Sequence, residues 1–308
     1  MAHYLVIGGA GFIGSHLVEH LLAARHQVTV IDNFSTGKRE NLSADPKLVV
    51  LEADIFELTA NQLSGRFDGV VHLAALASVN DSWNDVLGAH ELNLTATVRL
   101  IELVKQVNIP RFVFASSAAV YGNPHEIPIT EEHDTVPLSP YGLQKLASEY
   151  YGRLFAQDNQ MSFVALRFFN VFGPRQVTTS PYSGVITKFS ARMRAGQPVT
   201  IYGDGSQTRD FVHVRDIARG IAQALVAFGL GQFTVCNLGT GRAVSIRELV
   251  EIIGSFFPSW DGRLESAPAR PGDILNSQAD ISAARRLLGY DPAHLLEAGL
   301  AAIVHSNQ

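Results

Sequence analysis

The chain has 308 residues, 46% hydrophobic and 17% charged, an ordinary globular composition with length enough to bury a core. Its net charge is -5 and its pI about 6.1, so no basic footprint argues for nucleic acid. The single cysteine, Cys236, excludes an internal disulfide framework; Met1 to Ile7 lacks the basic and long apolar regions of a signal peptide, and no apolar run approaches membrane length, so a soluble, cytoplasmic protein is expected.

In chain order, Tyr4 to Ile7 reads as a buried strand, and Gly8-Gly9-Ala10-Gly11-Phe12-Ile13-Gly14 follows at once. From Ser15 to Ala24 the apolar Leu17, Val18, Leu21 and Leu22 recur at helical spacing. A second strand, Val28 to Ile31, ends at Asp32. Strand, glycine turn, helix, strand and acidic residue is the context of a dinucleotide fingerprint. Gly8 permits the tight turn, Gly11 lets backbone approach a pyrophosphate, and Gly14 lets helix and strand pack closely. The helix start offers free N–H groups to phosphates. A carboxylate at Asp32 suits ribose hydroxyls and repels a 2′-phosphate, which favours NAD over NADP.

The rhythm continues with a strand over Leu48 to Leu51 leading to Ala53-Asp54-Ile55, where Asp54 is placed to meet an adenine edge. Gly69 to Ala75 is a strand ending in small residues, suited to passing close over a cofactor. A helix from about Leu92 to Val107 precedes the strand Arg111 to Ala115. Repetition of this kind predicts a doubly wound parallel sheet with ligands beyond the carboxyl ends of its strands. Ser116, Ser117 and Tyr121 fall just past one such end.

After a polar, proline-punctuated loop from Pro124 to Pro140 comes Tyr141-Gly142-Leu143-Gln144-Lys145. A phenol and an ammonium four residues apart share one face of a helix. A cation beside a phenol favours the phenolate, so the pair reads as a tuned acid/base. Further on, Lys188 to Ala195 is an amphipathic helix, and Thr234 to Leu238 a strand. No histidine lies in a metal-ligand spacing, and no metal is expected.

These stretches resemble the extended short-chain dehydrogenase/reductase family, and within it the nucleotide-sugar 4-epimerases. The marks are the glycine turn, His72-Leu73-Ala74-Ala75, Ser116-Ser117-Ala118-Ala119-Val120-Tyr121-Gly122 and Tyr141 to Lys145. They continue through Arg167-Phe168-Phe169-Asn170-Val171-Phe172-Gly173-Pro174, Tyr202-Gly203-Asp204-Gly205 and Thr208-Arg209-Asp210-Phe211-Val212-His213-Val214. Asn237-Leu238-Gly239 and Arg270-Pro271-Gly272-Asp273 close the series, which covers nearly the whole chain.

The resemblance implies Tyr141 as base, Lys145 as its partner and a ligand of the nicotinamide ribose, and Ser117 as the hydroxyl on the sugar O4. It implies cofactor contacts from Gly8, Gly11, Phe12, Ile13, Gly14, Asp32, Asn33, Ser35, Thr36, Gly37, Asp54, Ile55, Leu73, Ala74, Ala75, Asn93, Ser116 and Phe168. Asn170, Arg209, Arg270 and Asp273 match a UDP clamp, where a planar, always charged arginine fork suits a diphosphate. Tyr202 would flank the uracil, and Ser78, Val79 and Cys236 would line the sugar. An NAD-binding Rossmann domain over 1–170, rejoined by 212–238, and a smaller α/β nucleotide-sugar domain over 171–211 and 239–308 are expected. A homodimer through the helices near Leu92 to Val107 and Pro140 to Asp158 is implied too.

Fold does not settle function on such a scaffold. The related dehydratases and decarboxylases use carboxylates just after the first serine, where this chain has Ser117-Ala118-Ala119. Elimination is therefore disfavoured, and C4 epimerisation through a transient 4-keto sugar is favoured. Cys236 is small where the resembling epimerases gate the sugar 2-substituent, so UDP-GlcNAc and UDP-GalNAc are expected as substrates, with UDP-glucose and UDP-galactose possible. A UDP-uronic acid 4-epimerase or a nucleotide-sugar reductase is the alternative. Retention of the tyrosine, lysine and serine argues against a non-catalytic dinucleotide sensor.

Overall fold

The computed structural model describes residues 1–63, 65–158, 161–176, 184–269 and 274–306. Its centre is a seven-stranded sheet. The strands are β1 (His3–Ile7), β2 (Gln27–Asp32), β3 (Leu48–Glu52), β4 (Gly69–His72), β5 (Arg111–Ser117), β6 (Ser162–Phe168) and, from later in the chain, Phe233–Leu238. Every pairing is parallel, in the spatial order Phe233–Leu238, β6, β5, β4, β1, β2, β3. The order reverses between β1 and β4, and a ligand crevice opens at such a switch point. The inner strands are Val-, Ile- and Leu-rich and buried on both faces, as a covered parallel sheet requires.

Helices on the two faces build two cores. In the first half of the chain the helices are α1 (Phe12–Ala23), α2 (Val79–Asn84), α3 (Val86–His90), α4 (Ala96–Gln106) and α5 (Pro140–Asp158). On one face α1 and a later helix, Val214–Val226, bury Leu17, Leu21, Ile217 and Ile221 against Val6, Val113 and Leu166. On the other, α4 and α5 bury Leu100, Val104 and Ala156 against Leu5, Phe112 and Phe163. A third core forms around α6 (Val185–Arg194), the helix Ile246–Gly254 and Leu296–Ser306. Beside it lie short two-stranded pairings, among them Thr208–Arg209 with Val244–Ser245.

The helix expected over Leu92 to Val107 is interrupted. Glu91–Thr95 winds as a π-helical turn between α3 and α4. The extra residue lets the Asn93 side chain reach the backbone of Leu76, accepting from its N–H at 2.8 Å and donating to its carbonyl at 3.3 Å. The Asn93 carbonyl in turn accepts from Thr97 Oγ1 at 2.6 Å. A one-residue bulge leaves the apolar period almost unchanged and is invisible to it. Among the described residues no helix is long and apolar enough to cross a membrane.

Candidate active site

The cofactor side is built by the turn after β1. Gly8 sits at φ +81°, and a Cβ on Gly14 would stand 2.2 Å from the Gly8 carbonyl oxygen. Gly11 precedes the first residue of α1, and no side chain caps that helix. The first-turn amides of Phe12, Ile13 and Gly14 therefore lack intrahelical partners and suit a pyrophosphate. Asp32, at the end of β2, is buried and accepts from Ala10 N–H and Phe34 N–H, both at 2.8 Å. A carboxylate has lone pairs left for ribose hydroxyls. A Cβ on Gly37 would meet Asp32 Oδ1 at 3.0 Å, so this loop closes tightly over the carboxylate. Asn33 Nδ2 donates to Asp54 Oδ2 at 2.8 Å, and Ser35 N–H to Asn33 Oδ1 at 3.1 Å, which brings the β2 and β3 ends together beside Ile55. After β4, Leu73 and Ala74 both donate to the Ile7 carbonyl, at 2.9 and 3.2 Å, so the chain passes directly over the glycine turn. These residues fit a dinucleotide.

The catalytic side joins β5 to α5. Ser139 caps α5 by accepting from Gly142 N–H at 3.1 Å, with Pro140 in its favoured first helical position. Ser82 of α2 accepts from Tyr141 N–H at 3.1 Å. The helix start is thus fixed from two sides. Ser117, the last residue of β5, accepts from Ala119 N–H at 3.1 Å, and its hydroxyl favours the ionised form of Tyr141. Lys145 is buried, donates to the Ala115 carbonyl at 2.9 Å and lies 5.8 Å from the Tyr141 ring centroid.

The electrostatics differ from the expected pairing. Burial pushes the Tyr141 phenol above its usual range, and the Ser117 hydroxyl opposes it. Burial also lowers the Lys145 ammonium to about 7, against the pull of Glu149. Sharing a dry site penalises both charged forms, an effect that sequence spacing does not carry. His72, the last residue of β4, is driven down to about 3 by burial and by Lys145.

Two more expected contacts are placed differently. Ser116 is 1% exposed and its hydroxyl donates to Glu149 Oε1, so it faces α5 rather than an open cofactor edge. Cys236 is 0% exposed. It pairs in register with Leu166 and packs in the core that α1 and Val214–Val226 cover, the face of the sheet opposite α5. Burial pushes its thiol up to about 12. A side chain enclosed there has no open side for a sugar substituent, and the expected gate is corrected to a core position. Strand alternation sends its neighbour Asn237 the other way, where it accepts from the Tyr121 hydroxyl at 2.7 Å.

The remaining sugar-side residues stand along the same edge. Ser78 caps α2, accepting from Asp81 N–H at 3.1 Å, with Val79 exposed beside it. Thr36 and Ala75 lie in the loops around the crevice, Phe168 closes β6, and Asn170 opens the short strand after it, donating from its N–H to the Asp210 carbonyl at 2.9 Å. Arg209 Nη1 donates to the carbonyls of Thr208 and Ile274 at 2.8 and 2.7 Å, and Tyr202 is 37% exposed. Arg270 and Asp273 lie outside the described residues. Sequence reasoning gave no role to Glu149, Arg167 or Asp210. Asp210 is 0% exposed and accepts from Thr240, Gly241 and Ala279, which ties the turn at 240–241 and the segment at Ala279 to the residue after Arg209. The spacing of Glu149, four residues after Lys145, was the available signal.

The model of the NAD dependent epimerase/dehydratase family matches residues 4–239. The chain belongs to this family. The resemblance to extended short-chain dehydrogenase/reductases of the UDP-sugar 4-epimerase type therefore holds, and NAD is the cofactor. The UDP-glucose 4-epimerase of Mycolicibacterium smegmatis is 37% identical over 97% of this chain and 96% of its own. A UDP-N-acetylglucosamine 4-epimerase from Methanobrevibacter ruminantium M1, solved with UDP-N-acetylmuramic acid, superimposes with a TM-score of 0.93 at 37% identity, covering 100% and 99% of the two chains. A UDP-glucuronic acid 4-epimerase from Bacillus cereus, solved with UDP-glucuronic acid and NAD, gives 0.89 at 31% identity over 98% of each.

Proposed function

We propose that the protein interconverts UDP-sugars at C4, acting on UDP-GlcNAc and UDP-GalNAc and also on UDP-glucose and UDP-galactose. The observation that carries this reading is the convergence of Ser117, the last residue of β5, with Tyr141 and Lys145 in the first turns of α5, and the glycine turn that opens α1. Bound NAD supplies the hydride acceptor and later the hydride donor at C4. The α1 start and Asp32 orient it, and Ser117 holds the sugar O4. Tyr141, in the phenolate form that the Ser117 hydroxyl and the Lys145 cation favour, takes the O4 proton as C4 is oxidised and returns it as C4 is reduced on its other face. Asn170, Tyr202, Arg209, Arg270 and Asp273 hold the UDP while the keto sugar turns. All but Asn170, which ends the first segment, come from 171–211 and 239–308, the segments assigned to the nucleotide sugar, and 1–170 with 212–238 holds the cofactor.

The acetylated pair is supported by the whole-length likeness to the M. ruminantium enzyme, and no longer by Cys236. A uronic-acid substrate is the second reading, supported by the likeness to the B. cereus enzyme. The chain acts as a homodimer through the outer faces of α3 to α5.

The test is NMR of purified protein with UDP-GlcNAc, UDP-glucose and UDP-glucuronic acid in separate tubes, with NAD present and no reductant. Formation of UDP-GalNAc supports the reading, and conversion of UDP-glucuronic acid alone replaces it with the second. Turnover only on addition of reduced cofactor would identify a reductase. Tyr141→Phe should lower kcat at least ~10²-fold on whichever substrate turns over, the lower range for general acid/base catalysis.

A further inference from the structure

One turn beyond Lys145, α5 carries a second charged side chain on the same buried face. Glu149 is 3% exposed and Arg167 of β6 is 5% exposed. The pair is bidentate, with Arg167 Nε on Glu149 Oε1 at 3.0 Å and Nη2 on Oε2 at 2.7 Å. Ser116 donates to the same Oε1 at 2.5 Å. Ser116 and Arg167 are register partners across β5 and β6, so the strands present both to α5 side by side. Arg167 also lies over the Tyr121 ring, 4.7 Å from its centroid. Lys145 meanwhile donates to Ala115, the residue before Ser116. The helix is thereby pinned at two consecutive residues of β5, immediately before Ser117.

Burying an ion pair costs desolvation and is weak evidence for stability. Its position suggests a second use. The titratable groups that face Lys145 are Tyr141 and Glu149 on α5, His72 from β4 and, bonded to Glu149, Arg167 from β6. Only Glu149 among them is ordinarily an anion. We propose that Glu149, clamped by Arg167 and Ser116, is a positioning residue that supplies the counter-charge of Lys145 and fixes its helix against the end of β5. Burial works against the Lys145 cation, and Glu149 works for it. Loss of the carboxylate lets Lys145 give up its proton at lower pH.

The consequence for turnover rests on the epimerase reading, but the ionisation of Lys145 can be read without substrate. The experiment is a pH titration of the Lys145 side chain by NMR in protein carrying 13C-labelled lysine, with the resonance assigned from Lys145→Met. In E149Q the midpoint should fall by about one pH unit or more, a tenfold change in the ionisation constant. The alkaline limb of kcat should move to lower pH in step. An unchanged midpoint in folded E149Q overturns the proposal. Should E149Q fail to fold, with Arg167 left buried and unpaired, the neutral double variant E149Q/R167Q is titrated instead. A fall in the same direction then supports the proposal and an unchanged midpoint overturns it. Absence of epimerase activity in the parent protein would sink the functional reading and leave this titration to decide on Glu149.

Discussion

At the scale of single residues, the site shows how strand alternation overrules a sequence neighbourhood. Cys236 and Asn237 are adjacent, yet one is enclosed as an apolar core side chain while the other is held by polar bonds, accepting from the Tyr121 hydroxyl and donating to the Ile129 carbonyl. Size alone had suggested Cys236 as a gate. Its surroundings now predict a different outcome for Cys236→Tyr. A phenol ring has no room beside Leu166, Leu238 and Ala284, and overpacking of this kind costs about 1–3 kcal/mol. Thermal unfolding should therefore fall, and activity on acetylated and non-acetylated sugars should decline together. Selective loss of the acetylated pair, with an unchanged melt, would restore the gate.

At the scale of elements, what was legible followed from repeated local rules. The β1–glycine turn–α1–β2 unit could be read because each glycine answers a backbone need and Asp32 closes the unit. The strand-to-helix step from Ser117 to Tyr141 could be placed because the motif ends a strand and the proline starts a helix. The π turn at Glu91–Thr95 was not legible, because its cause is a tertiary bond from Asn93 to Leu76 that lies 17 residues back in the chain. The Glu149–Arg167 pair escaped for the same reason, since β6 meets α5 only once the sheet is assembled. The glycine turn yields a sharp expectation. In Gly14→Ala the new methyl would sit 2.2 Å from the Gly8 oxygen and 2.7 Å from the Gly9 Cα, both rigid backbone. The start of α1 must then move away from the turn, which misaligns the amides meant for the pyrophosphate. Calorimetric titration should show NAD affinity lowered at least ~10-fold, consistent with the 1–3 kcal/mol cost of overpacking. Wild-type affinity in a folded Gly14→Ala would remove the turn from the cofactor site.

At the scale of the whole molecule, α5 has two faces with different work. Lys145, Ser148, Glu149, Gly152 and Ala156 are buried on the inner one. On the outer one Leu143 is 57% exposed, Tyr150 56% and Leu154 62%, at a helical spacing that makes one stripe. Trp83 of α2 and Leu87 of α3 extend the patch, at 60% and 83% exposed, and Trp83, Val86, Leu138 and Leu143 line a groove between these helices. A contiguous apolar surface of this kind on a monomer marks an interaction site. The homodimer proposed above would seat a second copy here, a two-fold axis bringing the apolar helical stripe against itself. Sedimentation at micromolar concentration should give twice the mass of the chain, and Leu143→Glu with Leu154→Glu should give a monomer. Since the substituted side chains point away from Lys145, the double variant should keep NAD binding while losing the partner. A wild-type chain that sediments as a monomer would refute the dimer, and a variant still dimeric would move the interface off α5.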